Sequence, residues 1–202
     1  MTVGLVLILA AAALLLYNTW DADRAARTGL ETVRSFEAAM DSGRNTAPQP
    51  AAAGVSPGAG PFDSDAAASI VEQEPCFMKD GVKYIGVIDI PALGVTVPVT
   101  DTWSYPNLKI AGCRYTGSVA GGGLVILAHS YARFFGHLSQ LKPGDSVVFT
   151  DAGGVAHNYA VAEVDLLAPT EIEKMTDSGY ALTLFSCNYN GKARVTVRCA
   201  AD

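Results

Sequence analysis

At 202 residues, half of them hydrophobic, the chain is long enough for one domain with a sizeable core plus accessory segments. Its net charge of -6 and the scatter of its 14 basic residues exclude a nucleic-acid partner, because phosphate binding needs clustered Lys and Arg. The four cysteines, Cys76, Cys113, Cys187 and Cys199, have no C-x-x-C spacing, so they do not suggest a zinc site, and no metal or organic cofactor is expected.

Residues 1–20 carry no charged side chain, and Val3 to Tyr17 is almost wholly Val, Leu, Ile and Ala. A bilayer is crossed by about 20 apolar helical residues, so 1–20 is expected to be a transmembrane anchor. Tyr17 and Trp20 stand where interfacial aromatics are found. A cleaved signal peptide fits less well, because the apolar run continues through Leu14, Leu15 and Leu16 past the small residues Ala10 to Ala13. Charge alone gives the opposite orientation to the one adopted below: Arg24 and Arg27 follow the apolar run and no basic residue precedes it, which points the rest of the chain to the cytoplasm.

Ala22, Ala25, Ala26, Leu30, Val33, Phe36 and Met40 recur at helical spacing, so Asp21 to Asp41 reads as a stalk helix with a weak apolar stripe. Gly43 to Ala68 contains Pro48, Pro50, Pro57 and Pro61 among Ala, Gly and Ser, the composition of a flexible tether. Stalk and linker together occupy 21–69, and a domain is expected over 70–202. There, short runs rich in Val and Ile are bounded by Gly, Pro and Asp: Tyr84–Ile90, Val95–Val99, Leu124–His129, Ser146–Thr150, Tyr159–Leu167, Ala181–Cys187 and Ala193–Cys199. Several short strands at close spacing indicate a mainly β fold, a closed barrel or a sandwich, with single helical turns at Phe134–Leu141 and Thr170–Met175.

Cys187 ends the run Ala181 to Ser186, Arg194 opens the next strand seven positions later, and His129 closes Leu124 to Ala128. A thiol, an imidazole and a guanidinium at strand ends would supply a nucleophile, a proton carrier and an oxyanion stabiliser. Each also has a plain structural reading. A free Cys is often a small buried hydrophobe, and a lone His or Arg is more often satisfied in the core or solvated. The residues by themselves leave both readings open. His157, in an expected hairpin, reads as solvated, and His137 sits on a short turn with no ligand partner at helical spacing.

Thr183-Leu184-Phe185-Ser186-Cys187 resembles the T-L-x-T-C signature of sortases, with Ser in place of Thr before the Cys. Ala128-His129 resembles the segment that carries the family histidine, and Arg194 stands where the family arginine opens the last strand. Tyr84 to Pro91, Val97-Pro98-Val99 and Leu141-Lys142-Pro143-Gly144-Asp145 resemble further family motifs in the same order. The similarity spans roughly Lys83 to Ala200. The gap from Cys187 to Arg194 is short for the family, which leaves Arg198 as a substitute. The absence of a long helical insert between Leu166 and Tyr180 favours a class A- or D-like member over class B.

The resemblance implies a closed sortase-type barrel and a membrane-anchored cysteine transpeptidase. Cys187 would be the nucleophile, His129 the proton carrier and Arg194 the oxyanion stabiliser. The implied partners are sorting-signal peptides of surface proteins, of L-P-x-T-G type, and an amine acceptor from a peptidoglycan precursor or a pilin lysine. The implied location is the cell membrane of a Gram-positive bacterium, single-pass, with the catalytic domain extracytoplasmic. A cysteine hydrolase of cell-wall peptides and a non-catalytic surface binding barrel are the alternatives. An extracytoplasmic domain permits disulfides, so a Cys76–Cys113 bridge is considered, with Cys199 a core residue. Glu163, Asp165, Glu171 and Glu173 read as a solvated acidic loop rather than the calcium site that some class A sortases have.

Overall fold

The computed structural model describes residues 2–45, 74–177, 179–187 and 192–202. The tether expected over 43–68 falls, from residue 46 onward, outside the described residues. Helix α1 (Thr2–Asn45) is continuous from the apolar segment into the stalk. From Val6 it is long and apolar enough to be a candidate membrane span. Val6, Leu7, Ile8, Leu9, Leu14, Leu15 and Leu16 are all exposed, an apolar sheath with no cover from the other described residues.

The second half of α1 behaves differently. Ala25, Ala26, Val33 and Phe36 are buried, and Val33 and Phe36 pack against Val87 and Ala152 of the barrel. The stripe expected from the spacing docks except at Leu30, which is 42 % exposed, while Gly29 and Thr32 join the buried face.

Nine strands are described: β1 (Phe77–Lys79), β2 (Val82–Ile90), β3 (Val95–Thr100), β4 (Gly112–Ser118), β5 (Gly122–Leu127), β6 (Ser146–Asp151), β7 (Ala156–Leu167), β8 (Leu182–Cys187) and β9 (Arg194–Ala201). Their order is β1-β2-β3-β4-β5-β8-β9-β7-β6, and β6 pairs back onto β2. β2 to β9 thus close an eight-stranded barrel, which leaves no open edge in the ring, while β1 adds to β2 ahead of β6. The inward positions of alternate strands fill the centre: Ile88, Ile90, Val97, Val99, Leu124, Ile126, Leu182, Leu184, Val197 and Cys199 are all 0 % exposed. Cys199 is a core residue as expected, and burial pushes its thiol up to about 12.

Two strand pairs run parallel and bear on the site. β5 runs parallel to β8, with Leu127 opposite Phe185. β3 meets β4 only at Val99 and Thr100. Pro98, one position earlier, has no N–H to offer a ladder. α1 lies close by at this point: Gly29 packs near Pro98, the Ile110 carbonyl and Phe134.

β1, β4 and helix α2 (Tyr105–Leu108) were not marked by an apolar run. β4, Gly-Cys-Arg-Tyr-Thr-Gly-Ser, has two glycines, and register shifts interrupt its pairing with β5. The proposed Cys76–Cys113 bridge does not form. Both cysteines are free, Cys113 inside the barrel wall on β4 and Cys76 exposed before β1. Burial raises the Cys113 thiol above its ordinary range.

Gly86 marks the place where β2 leaves β1 and meets β6, at a register shift. A Cβ there would overlap the Thr150 carbonyl oxygen and lie 2.8 Å from the Phe149 ring. The carbonyl belongs to the β6 backbone and cannot swing aside. Gly86→Ala is therefore expected to destabilise the barrel by about 3 kcal/mol, the upper end of the usual overpacking range. Denaturant unfolding should show a lower midpoint with an unchanged slope.

Candidate active site

The strand register brings the ends of β5, β8 and β9 together. Across the antiparallel pair β8–β9, Cys187 stands opposite Arg194. Along the parallel pair β5–β8 the ladder runs on past Leu127, where the Ala128 N–H donates to the Phe185 carbonyl at 3.2 Å. Two residues beyond the Leu127–Phe185 pair on each chain are His129 and Cys187. A separation of seven positions between Cys187 and Arg194 thus suffices for the two to pair.

Strand parity sorts these positions. Leu182 and Leu184 of β8, Leu124 and Ile126 of β5, and Val195 and Val197 of β9 belong to the barrel core. The alternate positions Phe185 and Val125 belong to a separate apolar cluster on the outer face, with Leu167, Met175, Tyr115 and Leu127. Positions 187, 129 and 194 share the parity of this outer set. Tyr115 meets Phe185 edge-on at 5.4 Å and stacks beside Trp103 at 6.5 Å. Leu166 and Ile172 stand exposed nearby in sequence to Leu167 and Met175. An apolar floor thus leads along the outer wall to the three strand ends.

The loop after β5 is fastened to the end of β8. Ser186 donates its hydroxyl to the Phe135 carbonyl at 3.0 Å, and the Phe135 N–H donates to the His129 carbonyl at 3.1 Å. The residue before Cys187 therefore holds the segment that carries His129. This is the service of the hydroxyl that Ser keeps when it replaces Thr in the strand-end motif. Gly136 completes the same turn, since a Cβ there would crowd the Ser130 and Tyr131 carbonyls at 2.7–2.8 Å. Ser186→Ala leaves the buried Phe135 carbonyl without that donor and is expected to cost about 1–3 kcal/mol, while Ser186→Thr should restore most of it. Thermal unfolding of the two variants beside the parent checks this.

His129 is half-buried. Burial lowers its tendency to hold a proton, the carboxylate of Asp21 raises it, and the Lys109 ammonium lowers it. Its ring lies 4.9 Å from that of Tyr131, tilted by 32°. Arg198, the other candidate arginine, is engaged elsewhere. It is 7 % exposed, its Nη1 donates to Glu163 and Asp165, and its Nη2 donates to the Lys174 carbonyl at 3.0 Å. Its cross-strand partners are Thr183 and Glu163, and Thr183 lies four positions before Cys187 on β8.

The acidic group splits accordingly. Glu163 and Asp165 clasp Arg198, and Glu171 pairs with Lys174. Among the described residues no group of three or more His, Cys, Asp or Glu side chains is arranged to hold a metal ion. His157 is not simply solvated: its Nε2 lies 2.8 Å from Asp151 Oδ2 and its ring lies beside Phe149. His137 is near Gln140, at 3.2 Å through Nδ1.

A closed eight-stranded barrel of this kind has known relatives. The Sortase domain family matches residues 88–202, more than half of the chain, and the chain belongs to the sortase family, a family of cysteine transpeptidases. A search among curated proteins returned no match. Sortase C-3 from Streptococcus pneumoniae is similar at 27% identity with a TM-score of 0.55, over 62% of this chain and 65% of its own. Sortase D5, a transpeptidase from Clostridium perfringens, aligns at 20% identity and TM-score 0.53, over 62% of this chain and 82% of that one. A lid mutant of sortase A from Corynebacterium diphtheriae aligns at 24% and 0.52, over 58% and 69%. The last two likenesses concern the fold alone. Three classes thus match to nearly the same degree, so the shape of the barrel does not choose between them.

Proposed function

We propose that this chain is a membrane-anchored transpeptidase that cleaves a C-terminal sorting signal of L-P-x-T-G type and joins the new carboxyl end to an amine. The observation that supports this most is the register that sets Cys187 opposite Arg194 and beside the end of β5 that carries His129. Cys187 attacks the Thr carbonyl, and a tetrahedral oxyanion forms beside the Arg194 guanidinium. His129 donates a proton to the departing glycine nitrogen, and a thioester remains on Cys187. The incoming amine loses a proton to His129 as it attacks the thioester, which releases the thiolate. The half-buried Leu127 and Tyr115, backed by the buried Phe185, Leu167 and Met175, offer an extended peptide an apolar surface for its Leu and Pro side chains.

Three segments serve this role: an anchor at 1–20, a stalk and linker at 21–69, and a catalytic domain at 70–202. The anchor is single-pass, with the domain on the extracytoplasmic side of the membrane. Substrate and a lipid-linked or pilin acceptor both lie at that surface, so tethering raises their effective concentration at the site.

The test uses the full chain in detergent micelles with a set of sorting peptides, with and without a glycine amine. A new amide between the Thr carboxyl and the added amine is the expected product. A free acid alone, unaffected by the amine, would make the protein a hydrolase. Intact peptides under all conditions would overturn the catalytic reading in favour of a binding barrel.

A further inference from the structure

The docked half of α1 reaches the candidate site through one side chain. Tyr131, two residues after His129, donates its hydroxyl to Asp21 Oδ2 at 2.8 Å, across 110 positions of sequence. Its ring lies beside the His129 ring on one side and Phe134 on the other, at 4.9 and 5.9 Å. Phe134 is itself 2 % exposed and packs near Gly29 of α1. Tyr131 is therefore held by its hydroxyl on the helix, by Phe134 on its own loop, and by the imidazole it covers.

We propose that Asp21 and Tyr131 form a positioning pair for His129, through which the first turn of α1 beyond the apolar segment sets the orientation and proton affinity of the imidazole. This rests on the reading of His129 as the proton carrier. Two physical effects act together. A hydrogen bond to a carboxylate is roughly twice as strong as a neutral one, so it fixes the Tyr131 ring against which the imidazole must rest. A phenol that donates to an anion also carries more electron density on its ring face, and that face attracts a neighbouring cation. Both favour an imidazolium held in one pose.

The charges around His129 come from several elements. Asp21 lies on α1 and Lys109 follows α2. Cys187 and Arg194 stand on the two strands next in order to β5. Burial, Asp21 and Tyr17 together push the Tyr131 hydroxyl up to about 12, burial contributing most, so it stays protonated and able to donate. For His129 burial opposes protonation, and Asp21 works against burial. Removal of Asp21 should lower its pKa. The sign for catalysis follows: a step that needs the protonated ring is lost as pH rises through that pKa, so its basic limb should move to lower pH.

The experiment compares the full chain in detergent micelles with Asp21→Asn, Tyr131→Phe and the double variant, all close to isosteric. The His129 imidazole is titrated by NMR without substrate, and peptide transfer is followed across pH. Both single variants should lower the His129 pKa and shift the basic limb of transfer the same way. Each should lose about tenfold in kcat at neutral pH with KM within about twofold, and the double variant should lose no more than the worse single one. An imidazole titration unchanged in both variants, or kcat losses that multiply in the double variant, would overturn the proposal. Because the titration needs no substrate, it decides the coupling separately from the functional reading, which fails only if the parent protein transfers no peptide.

Discussion

Cys187→Ala is expected to abolish transfer completely, with the protein still folded. None of the other three cysteines is placed to supply the thiol. Cys113 and Cys199 are both 0 % exposed, and burial raises both thiols, so neither supplies a thiolate. Cys76 is exposed but lies before β1, away from the β5–β8–β9 ends. His129→Ala should come close to the same loss, because an amine departs poorly from a tetrahedral intermediate unless it is protonated. Peptide cleavage measured alongside circular dichroism separates loss of chemistry from loss of fold. Residual turnover in Cys187→Ala above the uncatalysed rate would mean that the nucleophile is elsewhere.

The second large effect separates two arginines four positions apart on one strand. Arg194→Ala should lose about 10²–10³-fold in rate, the scale for removal of one oxyanion donor, with little change in stability. Arg198→Ala should do the reverse. Its guanidinium ties β7 to α3 (Ile172–Thr176) and the wall beside it through Glu163, Asp165 and the Lys174 carbonyl, and β7 through its ladder to β9. Both carboxylates are near half exposed, so the pair is partly screened and its loss should cost about 1–3 kcal/mol, most of it from the buried guanidinium's own contacts. Rate and unfolding midpoint for the two variants give a crossed pattern. A rate collapse in Arg198→Ala with a folded barrel would reassign the arginine.

The barrel was legible where strands are apolar on their inward face. Val95–Val99, Ser146–Thr150 and Ala181–Cys187 were each read within a residue or two, because alternation or continuous β-branched runs survive burial on a closed wall. β4 escaped for the opposite reason. Its glycines and polar residues accommodate bulges against β5, and its place comes from pairing rather than pattern. The strand-end residues were legible because each closes or opens such a run, and their ends meet because β8 pairs antiparallel with β9 and parallel with β5.

Other contributions carry little sequence signal. The Ser186 bond to Phe135 spans 51 positions, and the Asp21–Tyr131 bond spans 110. Neither can be read from local spacing. Arg198 reads in the sequence as a substitute site arginine, and Glu163 and Asp165 as part of a solvated acidic loop, yet they converge because residues alternating on neighbouring strands stack across the wall. The weak stripe of the stalk offered a docking face without naming its partner, and the barrel surface at Val87 and Ala152 provides it.

The central claim is that Cys187 is an acyl-forming nucleophile. The most direct measurement incubates the full chain with a sorting peptide and no amine, quenches it in acid, and locates any adduct by peptide mass analysis. The expected result is a mass increase equal to the peptide up to and including its Thr, found on the fragment that contains Cys187 and discharged by added glycine amine. A mass unchanged at Cys187 while peptide is consumed, or an adduct on Cys76 alone, would contradict it.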